Sequence, residues 1–151
     1  MADIAWWLWL IHLLATAAMF GVIWLVQLVQ YPLFERVGKD AFAAYHEGHV
    51  SKITLVVLPL MAIELVTAGL FTWSYVLKQS VVAAWYVSLT LLLVIWLSTA
   101  LVQVPQHEML ASRFQAGIHN KLVTGNWIRT AAWSGRVVCV VYAGAQWFGP
   151  G

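Results

Sequence analysis

Four long runs of the chain carry almost no charge, and they decide what it can fold into. Ile4 to Tyr31 and Ser80 to Val104 contain no Asp, Glu, Lys or Arg. Ile53 to Leu77 contains only Glu64, and Trp127 to Phe148 only Arg129 and Arg136. A helix crosses the apolar core of a bilayer in about 20 residues, so each run is long enough to span it. In lipid a single span must satisfy its own backbone, which means a helix. The expected fold is therefore all-α: a four-transmembrane-helix bundle forming one integral membrane domain over 1–151, with spans at 4–31, 53–77, 80–104 and 127–148. A hydrophobic share of 62% against 9% charged residues agrees with this and excludes an ordinary soluble domain. The first run lacks a basic lead-in and is too long for the core of a signal peptide, so it is expected to remain in place.

The few charges set the expected orientation. Arg36, Lys39 and Lys52 flank the first connection, and Arg113, Lys121 and Arg129 the third. The short second connection has only Lys78, and the tails have no basic residue. The positive-inside rule then places the connections 1–2 and 3–4 in the cytoplasm and both termini outside, in a multi-pass protein of the cell (inner) membrane. The net charge of +2 is topological and does not mark a nucleic-acid partner. Trp6, Trp7, Trp9, Trp73 and Trp147 fall near the outer interface, where indoles anchor. The lone Cys139 lies within the fourth span and says little about redox compartment.

The chain also resembles itself. A shift of 73 residues lays LVQYPLFE (28–35) over LVQVPQHE (101–108) and AAYH (43–46) over AGIH (116–119). Over 24–50 against 97–123, eight of 27 positions are identical, including Gln30, Pro32, Glu35 and His46. Hydrophobicity does not force those residue types. The reading is two tandem two-helix repeats related by a pseudo-twofold along the membrane normal. Pro32 and Pro105 are expected to end or kink their helices, because proline lacks an N–H and crowds the preceding turn.

Placed at 100° per residue, the polar groups of each span share one face. His12, Thr16, Gln27 and Gln30 do so on the first span. Ser88, Thr99 and Gln103 do so on the third, and Asn126, Arg129, Trp133 and Arg136 on the fourth. Facing lipid they would lose hydration without gaining partners, so they point into the bundle. By helical rise Glu64 and Arg136 lie about 17 and about 15 Å from the cytoplasmic end of their helices. They are the only charges at that depth, opposite in sign, and are expected to form a structural intramembrane ion pair. Arg129 has no acid at its level. It faces a cytoplasmic vestibule with Asn126, His107, His46, His49 and His119.

That vestibule admits several chemistries. Arg129 and Asn126 could hold a developing oxyanion, with His107 as base. His46, His49 and His107 offer nitrogens to a first-row metal ion, and His46 with His119 offers axial ligands to a haem. Plain interfacial histidines, with no cofactor, account for the same pattern.

The motifs VQYP (29–32), VQVPQHEML (102–110) and NWIRT (126–130) resemble those of the anthrone-oxygenase-like family of small four-helix membrane proteins. The resemblance runs over nearly the whole chain and marks Pro105, Asn126 and Arg129. His107 stands where the family commonly has an Asn. The resemblance implies an oxidoreductase or oxygenase that converts an anthrone to an anthraquinone with molecular oxygen. The implied partners are the lipid bilayer and a lipophilic aromatic small molecule. Two other readings remain open. One is a non-catalytic small subunit of a larger membrane complex, or a homo-oligomer packed through small residues such as Ala15, Ala18, Gly21 and Ala143. The other is a carrier of a small anion or proton, since intramembrane Glu and Arg mark such pathways.

Overall fold

The computed structural model describes residues 2–74, 76 and 82–149, without the side chains of 2, 3 and 74. Lys78, and the expected span ends at 77 and 80, lie outside that set. No β-strand occurs among the described residues. Helix α1 (Ala2–Leu25) runs through a π-helical turn (Val26–Gln30) into the short α2 (Tyr31–Leu33) and a 3₁₀ turn (Phe34–Arg36). Helix α3 (Phe42–Ser74) follows. After the second connection, α4 (Ala83–Ser98) runs through another π-helical turn (Thr99–Gln103) into α5 (Val104–Leu110). The chain ends in α6 (Ala116–Phe148).

Three of the four long helical segments, Ile4–Arg36, Phe42–Trp73 and Ala83–Leu110, are long and apolar enough to cross a membrane. The fourth, α6, has the length but falls short in apolarity. Its buried face explains why: Asn126, Arg129, Thr130 and Arg136 all point inward. Average hydropathy counts every face of a helix, whereas a surrounding solvent meets only the outer one. That outer face carries Ile128, Val138, Val141 and Tyr142, all largely exposed.

One expectation is corrected here, and a second in part. α3 and α6 start at residues 42 and 116, each about three turns before the expected spans at 53 and 127. His46, His49 and His119 thus stand on the long helices and are not loop residues. Pro32 and Pro105 each fall just after a π-helical turn: past Pro32 the α-helix ends within one residue, at Leu33, and passes into a 3₁₀ turn, whereas past Pro105 it runs on to Leu110, so only Pro105 fails to end its helix. A π turn bonds i to i+5 and is wider than an α turn. It accommodates a residue that has no N–H and whose ring would collide with the carbonyl four residues back.

α1 packs on α3 and on α6, and α6 packs on α4. The α3 and α4 backbones come close at few points among the described residues; their side chains meet at one end, where the Trp85 indole donates to Thr72 Oγ1 at 2.9 Å and packs on Phe71, and the other end is left open. Close packing is enforced at particular places. Gly144 on α6 lies under the Trp9 indole, and a Cβ there would overlap Trp9 Cζ2 and Cε2. Trp9 Nε1 donates to the Val140 carbonyl at 3.2 Å, so this tryptophan belongs to the core and is not an interface anchor. Trp85 and Trp133 are also fully buried, while Trp7 and Trp73 are exposed. Ala15 and Ala143, candidates for an outer contact face, are buried inside the bundle.

Candidate functional site

At mid-bundle the fold closes around Glu64 and Arg136, both with 0% of the side chain exposed. Arg136 Nη1 donates to Glu64 Oε1 at 2.6 Å, and Thr16 Oγ1 donates to the same oxygen at 2.7 Å. The Trp133 indole donates to Glu64 Oε2 at 3.1 Å. Arg136 Nη2 lies 3.0 Å from His12 Nε2. Since guanidinium only donates, His12 Nε2 must accept, which puts the imidazole proton on Nδ1. Nδ1 sits 3.0 Å from Thr67 Oγ1, whose own proton goes to the Ile63 carbonyl at 2.6 Å. Every donor in that chain has an acceptor. His12, whose role the sequence leaves open, orients Arg136.

Above this layer, toward the ends of α2 and α5, lies a cavity of about 750 Å³. Its walls are mostly apolar: Met19, Ile23 and Val26 from α1 and the turn after it, Val57 and Met61 from α3, and Trp96 and Val104 from the α4 side. Its polar members are Tyr31, His46, His49, Gln103, His107 and Arg129, with Glu47 and Glu108 nearer the end. It occupies the seam that α3 and α4 leave open, and Ser51, Thr54 and Leu58 line it while exposed on the outside of α3.

Arg129 is 6% exposed and has no carboxylate within ion-pair distance among the described residues. Its guanidinium carbon sits 5.4 Å from the Trp133 ring centre, and Nη1 donates to Asn126 Oδ1 at 3.2 Å. Its Nε has no partner. Two other cavity residues share that condition. Both amide atoms of Gln103 and the indole Nε1 of Trp96 are buried without hydrogen-bond partners. A buried polar group left unpaired costs about 1–3 kcal/mol, so three such residues in the lining of one cavity make it the candidate ligand site; the atoms themselves are closed off from the cavity space and meet a ligand only when their side chains turn.

The histidines form two arrangements. His46 Nε2 and His107 Nδ1 are 3.0 Å apart, and His107 Nε2 is 3.0 Å from the Tyr31 hydroxyl. His119 lies elsewhere. Its Nε2 is 2.8 Å from the Tyr31 carbonyl oxygen, and Nδ1 is 3.2 Å from Glu35 Oε1 without the alignment of a hydrogen bond.

Several sequence expectations change as a result. His46 Nε2 is engaged by His107 and His119 Nε2 by the Tyr31 carbonyl, and both rings pack on Phe34 with centres 5.8 and 6.1 Å away, so as arranged neither Nε2 is free for a haem iron. No three His, Cys, Asp or Glu residues converge as a metal site among the described residues. Both nitrogens of His107 are engaged within the protein, and His49 meets it only by ring stacking, with centres 6.1 Å apart. Asn126 is not part of the cavity wall. Its amide donates to Gln27 Oε1 at 2.9 Å and its oxygen accepts from Arg129, so it holds α1 to α6 and aims the arginine. Tyr31 was missed although it lies inside the VQYP motif, because the repeat match rests on Gln30 and Pro32, and Val104 stands at the equivalent place 73 residues on.

Comparison with protein-family models, curated proteins and solved structures finds no match to this chain. The likeness to anthrone-oxygenase-like proteins therefore rests on the three short motifs alone.

Proposed function

We propose that this is a multi-pass membrane protein that binds a lipophilic, oxygen-bearing aromatic molecule in the α3–α4 cavity and oxidises it. The observation that carries the binding is the set of unpartnered groups around one apolar space: Arg129 Nε, the Gln103 amide and Trp96 Nε1. A neutral hydrocarbon would leave them unpaired, and a freely soluble ion would gain nothing from the apolar walls. A flat hydrophobic body with carbonyl or phenolic oxygens meets both demands. Arg129 supplies positive charge where an oxyanion would develop, and His107, whose nitrogens meet Tyr31 and His46, acts as base through the Tyr31 hydroxyl. The oxidation itself comes from the motif resemblance. Because the seam lies between two helices with exposed apolar flanks, the ligand enters sideways from the bilayer.

The same proposal includes the membrane topology, with the cavity end cytoplasmic and both termini outside, and the tandem repeat. Three features support the repeat. The π-helical turns Val26–Gln30 and Thr99–Gln103 are offset by the same 73 residues as the sequence match. A proline at the first or second position of the next helix follows each. The close ring pairs His46–His107 and His119–Phe34, with centres 5.2 and 6.1 Å apart, exchange under that shift. The carrier reading gains no support from Glu64 and Arg136, which are closed on each other and on Thr16, His12 and Trp133.

The test is oxygen uptake by the protein in lipid vesicles supplied with anthrone, with Arg129→Ala as control. Uptake above that of empty vesicles, lost in the variant, is expected. Wild-type protein that neither binds anthrone nor raises uptake would refute the reading.

A further inference from the structure

Tyr31, His107 and His46 form a continuous chain, and its hydrogen-bond logic allows two arrangements. In the first, the Tyr31 hydroxyl donates to His107 Nε2 across 3.0 Å, and His107 Nδ1–H donates to His46 Nε2 across 3.0 Å. In the second, each proton sits on the other side: His46 Nε2–H donates to His107 Nδ1, and His107 Nε2–H donates to the tyrosine oxygen. The Tyr31 O–H is then released from the chain. A neutral imidazole has one donor and one acceptor nitrogen, so the two histidines must change state together. All three residues line the cavity, and Tyr31 and His107 both lie near Arg129.

The position of Tyr31 is also unusual. It directly follows the first π-helical turn, and π turns recur at functional sites. Its mate 73 residues on is Val104, which directly follows the second π turn and has no proton to give. In this pseudo-symmetric pair, Tyr on one side and Val on the other, the one hydroxyl stands on the side that His107 reaches.

Building on the cavity reading above, we propose that Tyr31 is the group that exchanges a proton with the bound ligand, and that His107 and His46 relay that proton to the cavity end of the protein. The step balances. A phenolic or enolic O–H of the ligand breaks and its proton bonds to the Tyr31 oxygen. The former Tyr31 proton moves to His107 Nε2, and the His107 Nδ1 proton moves to His46 Nε2. His46 becomes an imidazolium and the ligand an oxyanion beside Arg129. His46 then releases the proton from Nδ1. His49, Glu47 and Glu108 also line the cavity and are the other titratable groups near this route. His119 sits on the Tyr31 carbonyl, a contact that does not involve the hydroxyl.

The experiment uses 1-naphthol, whose anion has its own absorption band, with the full chain in detergent. Equilibrium dialysis measures binding, and a stopped-flow jump to higher pH, followed at the anion band, measures how fast the bound probe ionises. Tyr31→Phe should slow the ionisation of bound probe by about tenfold or more. His46→Gln should slow it as well with Tyr31 intact, an effect that a merely structural tyrosine would not produce. Should Tyr31→Phe fail to fold, His46→Gln decides alone. A wild-type protein that does not bind 1-naphthol overturns the cavity reading and the relay with it. A wild type that binds the probe, with both variants ionising it as fast, overturns the relay and leaves the cavity standing. Slowing in Tyr31→Phe alone overturns the two-histidine relay.

Discussion

Glu64 and Arg136 are buried completely, so removing one should hurt more than removing both. In Arg136→Met the Glu64 carboxylate keeps its hydrogen bonds from Thr16 and Trp133 but loses its counter-charge. In Glu64→Gln the guanidinium keeps His12 as an acceptor but has no anion. Breaking a buried pair by deleting one partner costs about 3–5 kcal/mol, because an uncompensated charge remains. The double variant has no charge left at that level. Its cost is set by hydrogen-bonding groups left short of partners, His12 Nε2 foremost, at about 1–3 kcal/mol. Two independent losses would sum to about 6–10 kcal/mol. The expected coupling is therefore about 3 kcal/mol or more, well above the 0.3–0.5 kcal/mol scatter of additive sites, taken as roughly the limit of significance. The assay is reversible SDS titration of the detergent-solubilised protein, followed by tryptophan fluorescence at low temperature so that the single variants keep a folded baseline. A double variant whose loss equals the sum of the singles would refute the pairing argument, whatever the distance between the two groups.

Other positions give simpler expectations. Gly144→Ala should destabilise the fold by about 1–3 kcal/mol, because the new methyl overlaps the Trp9 ring and one helix must shift; a thermal unfolding midpoint unchanged from wild type would contradict this. Trp133→Phe removes the donor at 3.1 Å from Glu64 Oε2 and should cost about 1.5–3 kcal/mol in the same SDS titration, the range for a hydrogen bond to a charged group. Asn126→Ala should weaken both the α1–α6 tie and the aim of Arg129, lowering anthrone binding several-fold in equilibrium dialysis even though Asn126 does not line the cavity.

The parts of this structure that the sequence reveals are those governed by a single strong cost. Charge in lipid is expensive, so long uncharged runs show the helices, and two lone opposite charges at equal depth show Glu64 beside Arg136. A polar face without partners is expensive too, so Gln27, Ser88 and Asn126 could be turned inward by counting residues around the helix. Features that depend on small differences stay hidden. Whether Pro105 ends a helix or sits behind a π turn depends on one backbone hydrogen bond. Helix starts at 42 and 116 were obscured because charged and polar residues such as Glu47, Lys52 and Lys121 sit on helical turns beyond the apolar runs. His12 could be placed on the inner face, but its partner Thr67 required the relative rotation of α1 and α3. Asn126 was correctly turned inward and wrongly cast as a cavity residue, since facing the interior does not say which neighbour is met there.

The gap between α3 and α4 bears on how such a protein could choose its ligand. A molecule arriving from water gains free energy simply by leaving it, and a greasy pocket rewards any greasy guest. A molecule sliding in from hydrocarbon exchanges one apolar environment for another, so its apolar surface gains almost nothing. Selection then falls on the oxygens that Arg129, Gln103 and Trp96 can satisfy and on shape. Lengthening an alkyl tail would raise the amount of ligand in the bilayer without raising preference for the site. Affinities measured against aqueous concentration would mix the two effects, whereas those expressed per mole of lipid would separate them.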